Sequence, residues 1–441
     1  MALHPILVEK LNGAIAASEP RKFTPRDARL PAIAGKVHAV IGMRRAGKTT
    51  FLCQLQTERR KTLPPERAVY VSFDDDRLMD LPVGQLNLLL EEYYRRFPEL
   101  RGKETVYWYL DEIQLVGDWE RFVRRVLDTE RVEVAVSGSS ARLLSRELHT
   151  SLRGRSVETI IRPFSFREFL RHRGEEPQKE TTLLTSTERS LIENRFREYL
   201  REGGFPEVQG LSTNLRIELL QSYVNTVLFR DVLERYSITQ VAALRWLVRQ
   251  CLRNPAGTLS IHRFYQDLKS QGHSVSKDAL HTMFGYLTDA FLISAVPIST
   301  ASERQRNSNP RKIYPLDPGL IDAFDAGGRA HVGHALETVV LGELEWRKAE
   351  VGYIKTRSGY EVDFHVRFLD GKEEMIQVCA DLSSDETRKR EVRALEEAAQ
   401  EHPHARQQLL LLEREQVVHL ELPGVVVQTV YEWLLQGEQA Q

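Results

Sequence analysis

Between Lys36 and Ile161 short apolar runs alternate with longer charged, amphipathic segments, which predicts a parallel sheet with crossover helices. The runs KVHAVIG (Lys36 to Gly42), AVYVSF (Ala68 to Phe73), ETVYWYLDE (Glu104 to Glu112), VEVAVSG (Val132 to Gly138) and VETIIRP (Val157 to Pro163) read as buried strands. From Ser165 to Tyr236 the period turns helical: SFREFLRHR, TERSLIENRFREYLREG and NLRIELLQSYVNTVLFRDVLERY carry apolar residues three and four apart. Thr239 to Pro310 predicts three short helices and an apolar strand, closing on ISTASERQRNSNPRK, a polar and basic stretch expected as a loop. Beyond Gly333 come a helix (HALETVVLGELEWRK), a hairpin-like YIKTRSGYEVDFHVR, a strand (EMIQVCADL), a charged helix, and a final strand and helix. No internal repeat interrupts this order.

Composition narrows the class. The 441 residues suggest about three domains at roughly 150 residues each. With 41% hydrophobic and 28% charged residues, a mostly disordered, collagenous or coiled-coil chain is excluded. Lys plus Arg (61) nearly cancels Asp plus Glu (62), which excludes neither nucleic acid nor an acidic partner, because opposite regions hide in a balanced sum. Cys53, Cys251 and Cys379 are odd in number and contain no CxxC pair, so neither a disulfide framework nor a zinc ribbon is expected. A reducing cytoplasm fits. No export signal and no membrane span are expected, since no stretch of about 18 uninterrupted apolar residues occurs.

The sharpest chemistry follows the first strand. Gly42-Met43-Arg44-Arg45-Ala46-Gly47-Lys48-Thr49 matches GxxxxGK[ST] between a strand and the helix TTFLCQLQTERRK, the context that pattern requires. Its glycines let successive backbone N–H groups turn inward as an anion nest. Lys48 then reaches the β- and γ-phosphates of a nucleoside triphosphate, and Thr49 offers its hydroxyl to Mg2+. Gly42, Arg45, Ala46, Gly47, Lys48, Thr49 and Thr50 are the candidate nucleotide-binding residues. Downstream, Val106 to Leu110 delivers Asp111 to a strand's carboxyl end, where a carboxylate can hold the Mg2+ waters beside Thr49. Glu112 is the candidate base that orients the attacking water; a strand simply ending in surface acids is the plainer alternative. Kinases and small GTPases usually place these groups differently, and the arrangement resembles the hydrolytic AAA+/STAND branch of P-loop NTPases.

The order of GMRRAGKTT, VYWYLDEIQ, SGSSARLLS, SLRGRS, PFSFREFL, GGFPEV and LFRDVLERY is similar, from about residue 20 onward, to a prokaryotic group. That group comprises AAA-family ATPases carrying a C-terminal domain related to PD-(D/E)xK nucleases. The resemblance implies ATP rather than GTP, with Mg2+, and a homo-oligomer, a ring being one form. It implies a polar sensor for the γ-phosphate or the water at Ser137 or Ser139, though a Ser/Gly turn also suits any strand-to-helix loop. It also places Arg153 and Arg155 near an arginine finger acting on a neighbouring subunit, against the alternative of a solvated basic turn.

The segment SIHRFYQDLKSQGHSVSKDALHTMFGYLTDAFLISAV resembles a winged helix-turn-helix. Val241 to Lys312 carries ten Lys/Arg against four Asp/Glu, so DNA is the expected partner, through Lys277 and His281 on the second helix and Arg304, Arg306, Arg311 and Lys312 on or after a wing, against the alternative that winged helices also serve as protein-binding modules. Leu280, Met283, Phe284 and Leu287 are expected in the core. In the nuclease-like domain Glu337 and Asp363 match motif positions, but Gln377-Val378-Cys379 puts an amide in place of a metal carboxylate and a thiol in place of lysine. Independent nuclease activity is therefore not expected.

The expected fold is α/β: a P-loop ASCE-type parallel sheet core (1–164), a helical connector (165–237), a winged helix (238–312) and a degenerate, restriction-endonuclease-like α/β domain (313–441). The expected function is ATP hydrolysis coupled to DNA binding and remodelling, on branched or junction DNA. The alternative is a STAND-like ATP switch with protein partners.

Overall fold

Strands β1 (Val37–Ile41), β2 (Ala68–Ser72), β3 (Val106–Asp111), β4 (Val132–Ser137) and β5 (Ser156–Ile160) form one parallel sheet in the order β2-β3-β4-β1-β5. The computed structural model describes residues 2–16, 22–138, 152, 154–325 and 332–436. All five apolar runs of the sequence became these strands. Helix α1 (Pro5–Ile15) precedes the sheet, and α2 (Lys48–Arg60), α3 (Gly84–Arg96) and α4 (Trp119–Thr129) lie between its successive strands, as parallel pairing requires crossovers that return the chain to the same sheet end. Every residue of β1 is buried. The strand lying between β1 and β3 is β4, which brings Ser137 level with Asp111.

The chain divides into two compact units, residues 1–162 and 163–441. The second opens with α5 (Phe166–His172), α6 (Ser186–Glu202) and α7 (Thr213–Thr226), the last running into a π-helical stretch at Val227–Leu233. There follow α8 (Val241–Arg253), β6 (Thr258–Leu259), α9 (Ile261–Ser270), α10 (Lys277–Asp289), β7 (Ile293–Val296), α11 (Glu303–Ser308), β8 (Arg311–Pro315) and α12 (Pro318–Phe324). The stretch expected as a loop thus contains a helix, capped by the Ser302 side chain on the Gln305 N–H, and the start of a strand. Strand β8 pairs antiparallel with β6 and β7 and crosses the expected 312/313 boundary.

The remainder is α13 (Val332–Trp346), β9 (Glu350–Lys355), β10 (Glu361–Arg367), β11 (Glu373–Cys379), α14 (Asp385–Glu401), β12 (Arg406–Leu411), α15 (Arg414–Val418), β13 (Val425–Thr429) and α16 (Val430–Leu435). Its sheet has the order β13-β12-β11-β10-β9, antiparallel at β9-β10-β11 and parallel beyond. Two strands close this region where the sequence reading had one.

The motif GGFPEV ties the end of α6 to the start of α12. Gly203 has φ +74°, and a Cβ there would lie 1.8 Å from Asp317 Oδ1, while the Gly204 N–H donates to Asp317 Oδ2 at 2.7 Å. Arg216, 1% exposed, is paired with Glu202 and Asp322, which links α6, α7 and α12. The core of this unit spans Phe166 and Tyr199, Val296 and Tyr314, and Leu336, Phe364 and Leu410.

Candidate functional site

The loop after β1 is shaped by backbone that few side chains tolerate. Gly42 has φ +147°, and a Cβ on it would lie 2.1 Å from the Ile161 carbonyl oxygen; Gly47 caps α2 at φ +102°. Arg45 also has positive φ, 67°. Such a run turns N–H groups to one side and precedes the amino end of α2, the combination that receives phosphate. Lys48, 6% exposed, places its Nζ 3.0 Å from the Gly42 carbonyl and 3.1 Å from the Met43 carbonyl, across the same loop. Ala46 and Thr50 stand where the sequence placed them, on the loop and in the first turn of α2. A Gly42→Ala chain should lose at least about 1–3 kcal/mol from strained backbone alone. Urea denaturation and binding of a fluorescent ATP analogue should both register the change.

Asp111 ends β3, 2% exposed, and its carboxylate accepts from three hydroxyls. Thr49 Oγ1 donates to Oδ2 at 3.0 Å, Tyr70 OH donates to the same oxygen at 2.8 Å, and Ser137 Oγ donates to Oδ1. Thr49 and Asp111 are thus brought together from the P-loop after β1 and the end of β3, one strand away across β4, the donor set a Mg2+ bound to phosphates requires. The fit is chemical as well as spatial: hard oxygens, one neutral and one anionic, beside an ammonium and an amide nest. Burial, with the Asp111 charge adding to it, pushes the Tyr70 hydroxyl far above its ordinary range, so it remains a donor.

Glu112 follows in left-handed backbone, φ 54° and ψ 38°, a rare conformation for a non-glycine residue and one concentrated at working sites. Its N–H donates to Ser137 Oγ at 3.3 Å, and its Oε2 accepts from Gln114 Nε2 at 2.5 Å. Ser137, fully buried, therefore orients Asp111 and Glu112. Tyr70 and Gln114 were missed by sequence reasoning. Gln114 stands two residues beyond the acidic pair, a visible signal, whereas nothing local marks Tyr70. Arg26 was also missed: it donates to the carbonyls of Ala46, at 3.0 Å, and Arg162.

Ser139 and Arg153 lie outside the described residues. Arg155 is half-exposed and paired with Asp128.

The basic residues proposed for DNA separate into two sets. Lys277 and His281 are exposed on α10, whose amino end Ser276 caps by accepting from the Ala279 N–H at 3.0 Å, while Leu280, Met283, Phe284 and Leu287 are buried as expected. Arg304 is exposed on α11, Arg306 pairs with Glu350 at 3.0 Å, and Arg311 opens β8. Lys312 corrects the expectation. It is 3% exposed and turned inward, 2.9 Å from Asp363 Oδ1, 2.9 Å from Glu361 Oε1 and 3.5 Å from Glu337 Oε2. A side chain so placed cannot reach a phosphate, because strand alternation sends it to the opposite face from Arg311.

Lys312 also revises the reading of the C-terminal cluster. Glu337, Asp363 and Gln377 do converge: the Asp363 N–H donates to Gln377 Oε1 at 3.2 Å, and the Val378 N–H to Asp363 Oδ2 at 3.0 Å. The cation absent from position 379 is supplied by β8. Burial opposes the charged Lys312, but Asp363, Tyr314, Glu337 and Glu361 hold it well above lysine's ordinary range. Glu337 is pushed up by burial and by the Asp363 charge. Burial pushes the Cys379 thiol up to about 11, so it stays protonated at neutral pH.

Among the described residues no helix is long and apolar enough to cross a membrane. Residues 34–170 match the family described as AAA domain, and residues 193–328 match a domain of unknown function (DUF8612). The chain is 32% identical over 382 residues to "Uncharacterized protein MJ1544" of Methanocaldococcus jannaschii, covering 86% of this chain and 82% of that one. It is 25% identical over 338 residues to an uncharacterised protein of Haemophilus influenzae, covering 76% and 80%. Among solved structures it is similar to the Walker-type ATPase PABY2304 of Pyrococcus abyssi, at 14% identity and a TM-score of 0.38, covering 73% of this chain and 95% of that one. With the phosphate loop, Asp111 and Glu112 assembled at one sheet end, the chain belongs to the family of the Methanocaldococcus jannaschii protein and carries an AAA-family P-loop domain at residues 34–170.

Proposed function

We propose that this protein hydrolyses ATP with Mg2+ and couples the cycle to binding and remodelling DNA, on branched or junction substrates. The observation that carries the ATP half is the Thr49–Asp111–Glu112 arrangement at the mouth of the P-loop. Gly42 to Thr50 would hold the phosphates, and Thr49 with Asp111 the ion, which when bound neutralises charge on the transferring phosphoryl group. Glu112, oriented by Ser137 and Gln114, accepts the proton of the attacking water, and Lys48 faces the terminal phosphates. Arg153 and Arg155 are proposed to act on a neighbouring copy in a homo-oligomer.

The DNA half is supported by the exposed Lys277 and His281 on a capped second helix, followed by β7 and β8, which with β6 ahead of the helices form an antiparallel sheet, an order similar to a winged helix. In the C-terminal region, a helix Glu, a strand Asp and Gln377 gather as in a nuclease-like fold. The Lys312 ammonium already neutralises them, which supports a degenerate domain used for contacts rather than cleavage.

The test is the ATPase rate with duplex, forked and four-way junction DNA over a salt series. DNA should stimulate hydrolysis, with affinity falling steeply as salt rises, and Lys277→Glu should reduce the slope by about one unit of log K per log salt or more. Tight nucleotide retention with no response to any DNA would instead support the ATP switch with protein partners.

A further inference from the structure

A second cluster of side chains lies on the other side of the C-terminal sheet from Lys312. In β10 the register against β9 shifts between Val362 and His365. As a result Val362 joins the apolar cluster containing Ala394 and Leu395 of α14, while Phe364 joins the one containing Leu336 of α13. His365 then lies beside His402, the residue that caps the carboxyl end of α14, with ring centroids 4.4 Å apart.

His365 is 3% exposed, and its two ring nitrogens differ sharply. Nδ1 is 2.6 Å from Ser299 Oγ. Ser299 is itself fixed, its N–H donating to the Tyr353 carbonyl at 2.7 Å, and Gly352 makes room for it, since a Cβ there would lie 3.2 Å from Ser299 Cα. Nε2 is buried and has no hydrogen-bond partner. It points toward Glu373, whose Oε2 is 3.8 Å away, while Oε1 of the same carboxylate accepts from Arg367 Nε at 2.7 Å. Ligand atoms of His365, Glu373 and His402 all lie within 4.8 Å of one another.

We infer that His365 Nε2, Glu373 and His402 form a zinc site with one position open to water or an exogenous ligand. Two imidazoles and one carboxylate are a donor set typical of Zn2+ sites with an open fourth position. Ligands bonded at about 2.0–2.2 Å to a tetrahedral ion stand roughly 3.3–3.6 Å apart, so the cluster needs a contraction of about 1 Å, available to a half-buried Glu373 and His402. Ser299 would take the outer contact that fixes a metal-bound imidazole through its other nitrogen. The orphaned buried Nε2 is the independent sign that this is a ligand site and not an ordinary strand histidine.

Full-length protein stripped with chelator and titrated with Zn2+ by calorimetry should bind one ion per chain at these residues, and Co2+ in its place should give the intense visible absorption of a tetrahedral site. His402→Ala and Glu373→Gln should each weaken binding by at least about 100-fold, and Ser299→Ala by about 10- to 100-fold, with circular dichroism unchanged. Neither readout involves ATP hydrolysis. Absence of Zn2+ binding overturns the assignment, as does binding that survives both His402→Ala and Glu373→Gln.

Discussion

Replacing Glu112 with Gln should lower kcat for ATP hydrolysis by about 10^2- to 10^4-fold while leaving ATP affinity within a few-fold. The substitution keeps size and hydrogen-bonding capacity, so Gln114 and Ser137 can still hold residue 112 in its left-handed backbone. What is removed is the capacity to take a proton from water. The phosphate loop, Lys48 and the Thr49–Asp111 pair remain, so ATP should accumulate on the protein in filter binding while single-turnover product formation collapses. An unchanged kcat would put the base elsewhere and reduce Glu112 to a strand-end acid. A parallel loss of binding and turnover would show that the effect is on the loop's structure.

Replacing Lys312 with Met should destabilise the 163–441 unit by about 3–5 kcal/mol, the usual cost of breaking a buried ion pair from one side. Methionine fills much of the lysine volume, so packing changes little, but Asp363 keeps its charge in a buried setting with its principal cation gone. The Val378 N–H still bonds Asp363 Oδ2, which lessens the cost without removing it. Adding Asp363→Asn should recover most of the loss, because it removes the most closely held buried charge and leaves Glu337, which burial already pushes toward its neutral form, and the solvent-accessible Glu361. Urea denaturation followed by far-UV circular dichroism measures both. A Lys312→Met chain as stable as the parent would mean that the ammonium is solvated and the cluster open. That result would also restore Lys312 as a candidate phosphate contact.

Lys312 shows where reading along the chain stops. In the sequence it closes a basic stretch with Arg304, Arg306 and Arg311, and local charge counting assigns all four to one surface. Position alternation within β8 separates Arg311 from Lys312, and the strand's place beside β10 decides what the buried ammonium meets: Asp363, 51 residues further on. No local pattern encodes that meeting. The same holds for Tyr70, an ordinary apolar-strand tyrosine until β2 and β3 pair and set Ser72 level with Asp111. His365, Glu373 and His402 come from two strands and a helix end, so their spacing resembles no metal motif.

The parallel sheet, the P-loop, and Asp111 with Glu112 were all written locally. Apolar runs of strand length must be buried on both faces, glycine at positions 42 and 47 permits backbone that other residues resist, and a strand's last residue is placed by the strand itself. Such features depend on neighbours within a few residues, and period and spacing therefore reveal them. The cation in the C-terminal cluster, the hydroxyls around Asp111 and the unpaired nitrogen of His365 depend on pairings between residues tens of positions apart. Those pairings follow from strand order and register, which are set by how whole apolar faces close against one another, and only the folded chain brings them into contact.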